Sequence, residues 1–500
     1  MNNFQSFDQT ALIFISIYLS TLIIIGFFSY RARQENTLKD FYLAGNGFGL
    51  AVIFLTFYAT QYSGNTLFGY SGMTYRIGYS WIMCIHFMTA IIACYLIFAP
   101  KLYKRARQYN YVTPTDYLQH RFGSNSLNIV VTVIMIFVLA NYLLAQLMAM
   151  GRAVQGLSSA DPDIAYQQGV ILLTLIMVIY GTLGGIRAVA WTDVIQGSIL
   201  IIGLIILLLM LFKQFGPISL ATTAIQQAQD FSKINVPDAN RIREWISYIL
   251  IVGLGSTLYP QAIQRIYAAR SEKILRQGLA FMAFAPLFTA LIAVIVGIYA
   301  IAYVPGLEGT ASDQALTRVL LIIQQNSIFG YWLIVVLYAA VLAAMMSTAD
   351  SALLSISSML SKDIYSRFIN VNASEAKLTF LGKLFSWCLI IVLVWLAIYL
   401  SDKSSLLKLL DRKFDLLIQL VPAFMLSIHW RGLQALSTFI GLIVGVIVSI
   451  CLAYGGFDFV HEGKIYGFHP GLIGLTLNLL ITILGSVFIN SHKSFNTNEN

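Results

Sequence analysis

The sequence predicts an all-α polytopic membrane protein, and three observations carry that expectation. Hydrophobic residues fill 58% of 500 positions, charged residues only 11%, and the mean hydropathy is +0.76; a soluble domain is nearer a quarter charged. About thirteen apolar windows reach the roughly 20 residues that a helix needs to cross a bilayer. Two of these windows, five apart, are broken by polar residues, glycine and proline. Such paired interruptions mark two inverted five-span repeats around a midplane site.

In chain order the spans are expected at 9–29, 49–77, 79–100, 127–155, 164–182, 191–212, 243–267, 278–303, 326–360, 378–400, 405–428, 434–454 and 471–490. The leading MNNFQSFDQT has no basic n-region or small-residue cleavage site, so the first window reads as a retained span. The second carries Tyr58–Thr66 (YATQYSGNT) in its middle, and the seventh carries Gly253–Pro260 (GLGSTLYP). Unwinding there would free backbone carbonyls, tolerated only where they line a cavity. Kinks held by packing are the other reading of the same residues.

An odd span count places the termini on opposite sides. Basic residues follow the first span (Arg31, Arg33), the third (Lys101, Lys104, Arg105, Arg107), the seventh (Arg265, Arg270, Lys273, Arg276) and the ninth (Lys362, Arg367). The positive-inside rule then puts the N-terminus outside and the C-terminus in the cytoplasm of a plasma (inner) membrane. The longest hydrophilic connections lie near 213–242, 304–325 and 361–377. Arg265, Arg270 and Glu272 read as a solvated loop, with a link to a gate or anchoring to headgroups both open.

Several function classes are excluded. The net charge of +9 is spread over short loops without a basic domain, so nucleic acid is not an expected partner. Cys84, Cys94, Cys388 and Cys451 form no CxxC pair and read as small core hydrophobes. No His/Cys/carboxylate cluster has transition-metal spacing. No GxxxxGK[ST] motif occurs, and Gly45–Gly49 reads as a turn into the second span. No nucleophile–base constellation points to an enzyme.

The ninth span holds the chemistry. In Ala343–Tyr365 (AAMMSTADSALLSISSMLSKDIY), helical spacing aligns Ala344, Ser347, Thr348, Ser351, Ser355 and Ser358 within roughly 100° on one face, flanked by Asp350. Such a polar stripe is costly in a membrane unless it faces a partner, water or an ion. The Ala344 carbonyl with Ser347 and Thr348 supplies neutral oxygens suited to a sodium ion. Carbonyls of Ala59 and Tyr62 in the broken second span would complete a five-oxygen set. Close helix packing through small residues is the alternative. Candidate solute contacts lie between the two broken spans: Gln61, Ser63, Gly64, Asn65, Gly255, Ser256 and Tyr259. Free amides at a half-helix N-terminus there favour a carboxylate.

Four blocks carry a family resemblance: Asp40–Gly49 (DFYLAGNGFG), Tyr180–Gln196 (YGTLGGIRAVAWTDVIQ), Gln264–Ser271 (QRIYAARS) and the hydroxyl helix ending at Lys362–Tyr365 (KDIY). From about residue 9 to 430 the chain resembles the solute:sodium symporter family, which includes sodium/proline and sodium/glucose symporters. The resemblance implies a leucine-transporter-like 5+5 inverted repeat. It implies one extra span and loop at 1–48, the first repeat at 49–212, an extracellular loop at 213–242, the second repeat at 243–428, and two further spans with a short tail at 429–500. It also implies the principal sodium site at Ala59, Tyr62, Ala344, Ser347 and Thr348, and, in some members, a second cation site at Asp193, Ser347, Asp350 and Ser351. Asp193 reads equally as a helix-end cap or an ion-exit residue, and Asp350 equally as a protonated carboxyl. Gln61 stands where proline symporters carry an aspartate. Val252 and Ser256 replace their substrate-contacting aromatics, so their substrate is not inherited.

The expected function is sodium-coupled secondary active symport of a small organic solute (an amino acid, carboxylate or similar) by alternating access. No organic cofactor is expected, with Na+ as coupling ion and only metal, and the solute, Na+ and the lipid bilayer are the partners. Proton coupling in the same fold and a symporter-like membrane sensor are the alternatives.

Overall fold

A computed structural model describes residues 9–33, 35, 37–155, 161–325, 328–401, 413–461 and 463–497, excluding the side chains of Asn65, Thr310 and residues 492–497. Nearly all of it is helix. The first span, α1 (Gln9–Arg31), buries Ala11, Ile15, Leu19, Leu22, Gly26 and Ser29, steps of three and four that draw one stripe. Ile13, Ile17, Ile24 and Phe28 face outward, as lipid-facing residues do. At Gly26 an added Cβ would lie 2.7 Å from Cβ of Tyr180, which fixes how closely α1 approaches its neighbour.

The second span is broken, as expected. α2 (Leu50–Gln61) stops where Tyr62 (φ −115°, ψ 88°) and Ser63 (φ −92°, ψ 172°) leave helical geometry, and α3 (Gly64–Ile77) starts from a capping box between Ser63 and Thr66. α4 (Met83–Tyr109) and α5 (Asn125–Gln155) follow. The next helix, α6 (Pro162–Phe215), runs 54 residues, about 80 Å at 1.5 Å per residue and far beyond one bilayer. It is interrupted at Gly185 (φ 59°, ψ −152°), where the Phe41 carbonyl and ring leave no room for a side chain. Hydropathy had placed the gap between two spans at 183–190, and the chain turns there without leaving helix for more than this residue.

The seventh span is broken too. α7 (Ala239–Ser256) and α8 (Pro260–Ala268) meet at 52°, with Pro260 at the first helical position after Tyr259. α9 (Glu272–Met282) and α10 (Ala290–Tyr303) form the eighth span. α11 (Ile328–Ser358) carries the hydroxyl stripe, is buried from Leu337 onward, and continues as a π-helix over Met359–Ile369. It packs against α6 and α5 at the centre of the bundle, which is why it is apolar on every face except the stripe.

α12 (Glu375–Tyr399), α13 (Ala435–Tyr454) and α14 (Pro470–Thr497) complete the set. Part of the span expected at 405–428 lies outside the described residues. Its remainder is short helical pieces, including Ile418–Leu420 and Pro422–Leu426. Among the described residues nine helical segments are long and apolar enough to cross a membrane, ten with the bent pair, so the count of thirteen is not reproduced by that tally. The protein is nonetheless a multi-pass membrane protein.

The hydrophilic connections at 213–242 and 304–325 contain the helices Ile218–Gln227 and Ala315–Gln325. One expectation, about the cysteines, is corrected. Cys388 and Cys451 are exposed on the outer faces of apolar helices and only Cys84 is a core residue, though all four are free thiols.

Candidate ion and solute site

The break between α2 and α3 faces the middle of α11. The Thr348 hydroxyl lies 3.0 Å from the Ala59 carbonyl across the bundle and 2.8 Å from the Ala344 carbonyl of its own helix. Three of the five oxygens expected around sodium are thus together. Tyr62 stands at the break itself, its ring stacked on Tyr58 at 5.0 Å. Ser347 is buried and turns its hydroxyl to the Asp193 carboxylate.

Partners for the rest of the stripe come from α8. The Ser355 hydroxyl donates to Gln264 Oε1 (2.6 Å), and Gln264 Nε2 donates to Ser358 (2.9 Å). Arg265, read from sequence as part of a solvated loop, is 1% exposed. Its Nη2 reaches Ser351 Oγ at 2.7 Å and Asp193 Oδ2 at 3.3 Å, its Nε reaches Thr56 Oγ1 at 2.7 Å, and its Nη1 reaches the Gln261 carbonyl at 3.2 Å. Arg270 and Glu272 do lie at the surface, where Glu272 pairs with Lys104 (3.4 Å) and Arg276 (2.9 Å).

The second-cation set therefore divides. Asp193, Ser347 and Ser351 meet, and a guanidinium stands among them. Asp350, also buried, turns instead toward Gly181 of α6, where any Cβ would overlap its carboxylate, and its Oδ2 has no hydrogen-bond partner among the described residues. The sequence signal for Arg265 was its position inside the apolar window 243–267. An arginine at such depth is expensive and marks a functional or paired position.

Beside the broken spans lies a cavity of about 80 Å³. Gln61, Ser63, Ser256 and Tyr259 line it, together with Thr66, Tyr142 and Lys413, which the sequence reading did not select. Gln61 Nε2 donates to Tyr95 OH (2.9 Å), which in turn donates to the Ser256 carbonyl (3.3 Å), so the two broken spans are joined through α4. Gly64 and Gly255 do not line the cavity. An added Cβ at Gly64 would collide with Met345, and Gly255 packs on Phe414 and Leu417. The side chain of Asn65 lies outside the described residues.

The fold defines a class: a multi-pass helical transporter whose two broken spans face one central polar helix. Among solved structures, it resembles a Na+-coupled sialic acid symporter in a substrate-bound outward-open state, with a TM-score of 0.78 and 21% identity over 96% of this chain and 98% of that one. It also resembles MhsT in complex with L-phenylalanine, with a TM-score of 0.52 and 13% identity over 87% of this chain and 98% of that one. At these identities the likeness is one of fold.

The family model described as the sodium:solute symporter family matches residues 41–445, and the chain belongs to that family. A high-affinity proline transporter of Bacillus subtilis is 28% identical, covering 92% of this chain and 96% of that protein. A sodium/proline symporter of Haemophilus influenzae is 26% identical, covering 96% and 95%. The protein is accordingly a sodium-coupled solute symporter of the leucine-transporter-like inverted-repeat fold, not an enzyme.

Proposed function

We propose that the protein imports a small carboxylate-bearing organic solute with one sodium ion bound by Ala59, Tyr62, Ala344, Ser347 and Thr348. The observation that carries this reading is the convergence of Ala59 O, Ala344 O and Thr348 Oγ1 across two helices distant in sequence. In this reading the repeats span 49–212 and 243–428, flanked by 1–48, the extracellular loop 213–242 and the final 429–500. The N-terminus is outside and the C-terminus cytoplasmic in the plasma membrane. Ser63 at the start of α3 and Ser256 at the end of α7 border the solute, so ordering the break with sodium also shapes the solute cavity.

Asp193 and Ser351 hold the Arg265 guanidinium in place of a second ion. One sodium crossing about 100 mV contributes roughly 2.3 kcal/mol, and a tenfold gradient adds about 1.4. Their sum, about 3.7 kcal/mol, drives several-hundred-fold accumulation at tight coupling.

Counterflow into proteoliposomes tests the reading: solute entry saturates with sodium at a Hill coefficient near one. Sodium-independent entry would overturn it, and a coefficient near two would restore the second ion. Proton coupling through Asp350 is the second reading, favoured by its buried Oδ2, which has no hydrogen-bond partner among the described residues; uptake driven by an inward proton gradient without sodium would select it.

A further inference from the structure

The end of α4, the helix Asp116–Phe122 and the segment from Ser427 to Arg431 enclose a groove of about 540 Å³. Lys101, Lys104, Arg105, Arg121 and Arg431 line it. Among the described residues, one carboxylate pairs with these five cations: Glu272, 3.4 Å from Lys104. Neutral groups position two of the others. Lys101 Nζ donates to His429 Nδ1 (2.6 Å). Arg121 donates to the carbonyls of Ser427 (3.3 Å), Trp430 (3.2 Å), Arg431 (2.8 Å) and Leu433 (3.2 Å). Such bonds fix a cation in place without supplying a counter-charge. Apolar surface adjoins the groove. Ile97, one helical turn before Lys101 on the same face of α4, is 64% exposed, and Leu436 at the start of α13 is 61% exposed. On a membrane-spanning helix such side chains meet lipid tails, so the groove opens where the hydrocarbon surface reaches water.

We infer that this groove binds the headgroup of an anionic phospholipid, with its phosphate received by Lys101, Arg105, Arg121 and Arg431. The inference goes beyond the transport reading and does not depend on the solute cavity. Basic residues that only anchor a protein to headgroups can scatter over an open surface; these converge on one concavity from three chain segments. Guanidinium groups match the fork of phosphate oxygens, and their charge-assisted hydrogen bonds are strong. Basic pockets between spans at a membrane face are suited to acidic headgroups. A zwitterionic headgroup would bring its own ammonium among like charges, which repel. A lipid is favoured over a free phosphate because its acyl chains can lie along Ile97 and Leu436, adding buried apolar surface to the charge pairing. The occupant would also join parts of the chain distant in sequence. Lys101–Arg121 belongs to the proposed first repeat, and Ser427 ends the proposed second, so a bound headgroup braces one against the other.

The test is thermal unfolding of the purified full-length protein in detergent, titrated with phosphatidylglycerol or diphosphatidylglycerol. Phosphatidylcholine, inorganic phosphate and ATP are the comparison arms. The anionic lipids are expected to raise the melting temperature by several degrees more than phosphatidylcholine, and phosphate and ATP should not reproduce the shift. Arg105→Gln/Arg431→Gln leaves the Lys101–His429 and Arg121 bonds in place. It should raise the lipid concentration needed for half the shift by about 10- to 100-fold. Arg270→Gln/Lys273→Gln neutralises two exposed cations outside the groove and should change it by less than about 3-fold. Melting temperatures without lipid close to that of the wild type show that both variants are folded. Should the groove pair unfold early, Arg105→Gln alone carries the test, with a rise of about 3- to 10-fold. An equal shift from phosphatidylcholine, or one as large from phosphate or ATP, overturns the lipid assignment. So does an unchanged response in the groove variants, or an equal loss in Arg270→Gln/Lys273→Gln.

Discussion

The Arg265 guanidinium lies 3.3 Å from the Asp193 carboxylate, and both side chains are withdrawn from solvent at the centre of the bundle. Asp193 also accepts from Thr56 of α2 and Ser347 of α11, while Arg265 donates to Ser351. One ion pair therefore ties α2, α6, α8 and α11 together next to the proposed sodium site. Removing one member of such a pair leaves an uncompensated buried charge.

Arg265→Met should destabilise the protein by about 3–5 kcal/mol, since a lone buried carboxylate remains. The double variant Arg265→Met/Asp193→Asn should recover more than half of that loss. Thermal unfolding in detergent reads both. Equal stability of single and double variants would show that the two charges do not depend on each other.

Thr348→Val keeps shape but removes the hydroxyl between Ala59 and Ala344. The half-saturating sodium concentration for uptake should rise about 10- to 100-fold, the equivalent of about 1.4–2.8 kcal/mol of lost ligation. The maximal rate at saturating sodium should change far less. Ser347→Ala should behave similarly, with an added loss of stability because Asp193 forfeits a donor. Sodium titration of uptake decides; unchanged sodium dependence in both variants removes the site.

Gly181 matters because α6 runs directly over Asp350. Gly181→Ala puts a methyl group into the Asp350 carboxylate and should cost about 1–3 kcal/mol by overpacking. Asp350→Gly in the same chain should relieve the clash. Folded yield by size-exclusion chromatography checks it: a Gly181→Ala variant at wild-type yield would mean that the two helices separate easily.

The parts of this architecture written in local sequence were legible, and those set by tertiary approach were not. The break at Tyr62–Ser63 falls inside the polar run Tyr58–Thr66, and the Ala344–Thr348 pairing follows from helical spacing alone. Arg265 was misread because it follows the apolar core of its window and precedes charged residues, so composition alone placed it in solvent. Only the approach of Asp193, 72 residues earlier in the chain, explains its burial. Lys413 was missed for a related reason: two aromatic faces beside it lie on α5 and in the turn before α8, which no sequence window brings together. Gly64 and Gly255 were chosen as solute contacts for their place at the breaks, whereas Gly64 lies hard against Met345 and Gly255 beside Phe414 and Leu417.

The last prediction concerns pH, at the membrane-flanking segment before α5. Asp116 accepts from the Val112 amide (2.7 Å), the Thr113 amide (2.9 Å) and the Lys362 ammonium beyond α11. Burial pushes the Asp116 carboxyl up, but the Lys362 charge and hydrogen bond with the two amides more than offset it, so it titrates below the ordinary carboxylate range. A depressed folded-state value means that the unfolded chain binds the proton more readily. Its stabilisation is thus complete above the unfolded value near about 4 and is lost as pH falls through the lower folded value. Wild-type protein should lose stability on acidification from about pH 5 downward more steeply than Asp116→Asn, which should already be weaker at pH 7. Melting temperatures of both proteins across pH 3–7 measure the difference, and parallel curves would show that this carboxylate does not clamp the segment to the end of the hydroxyl helix.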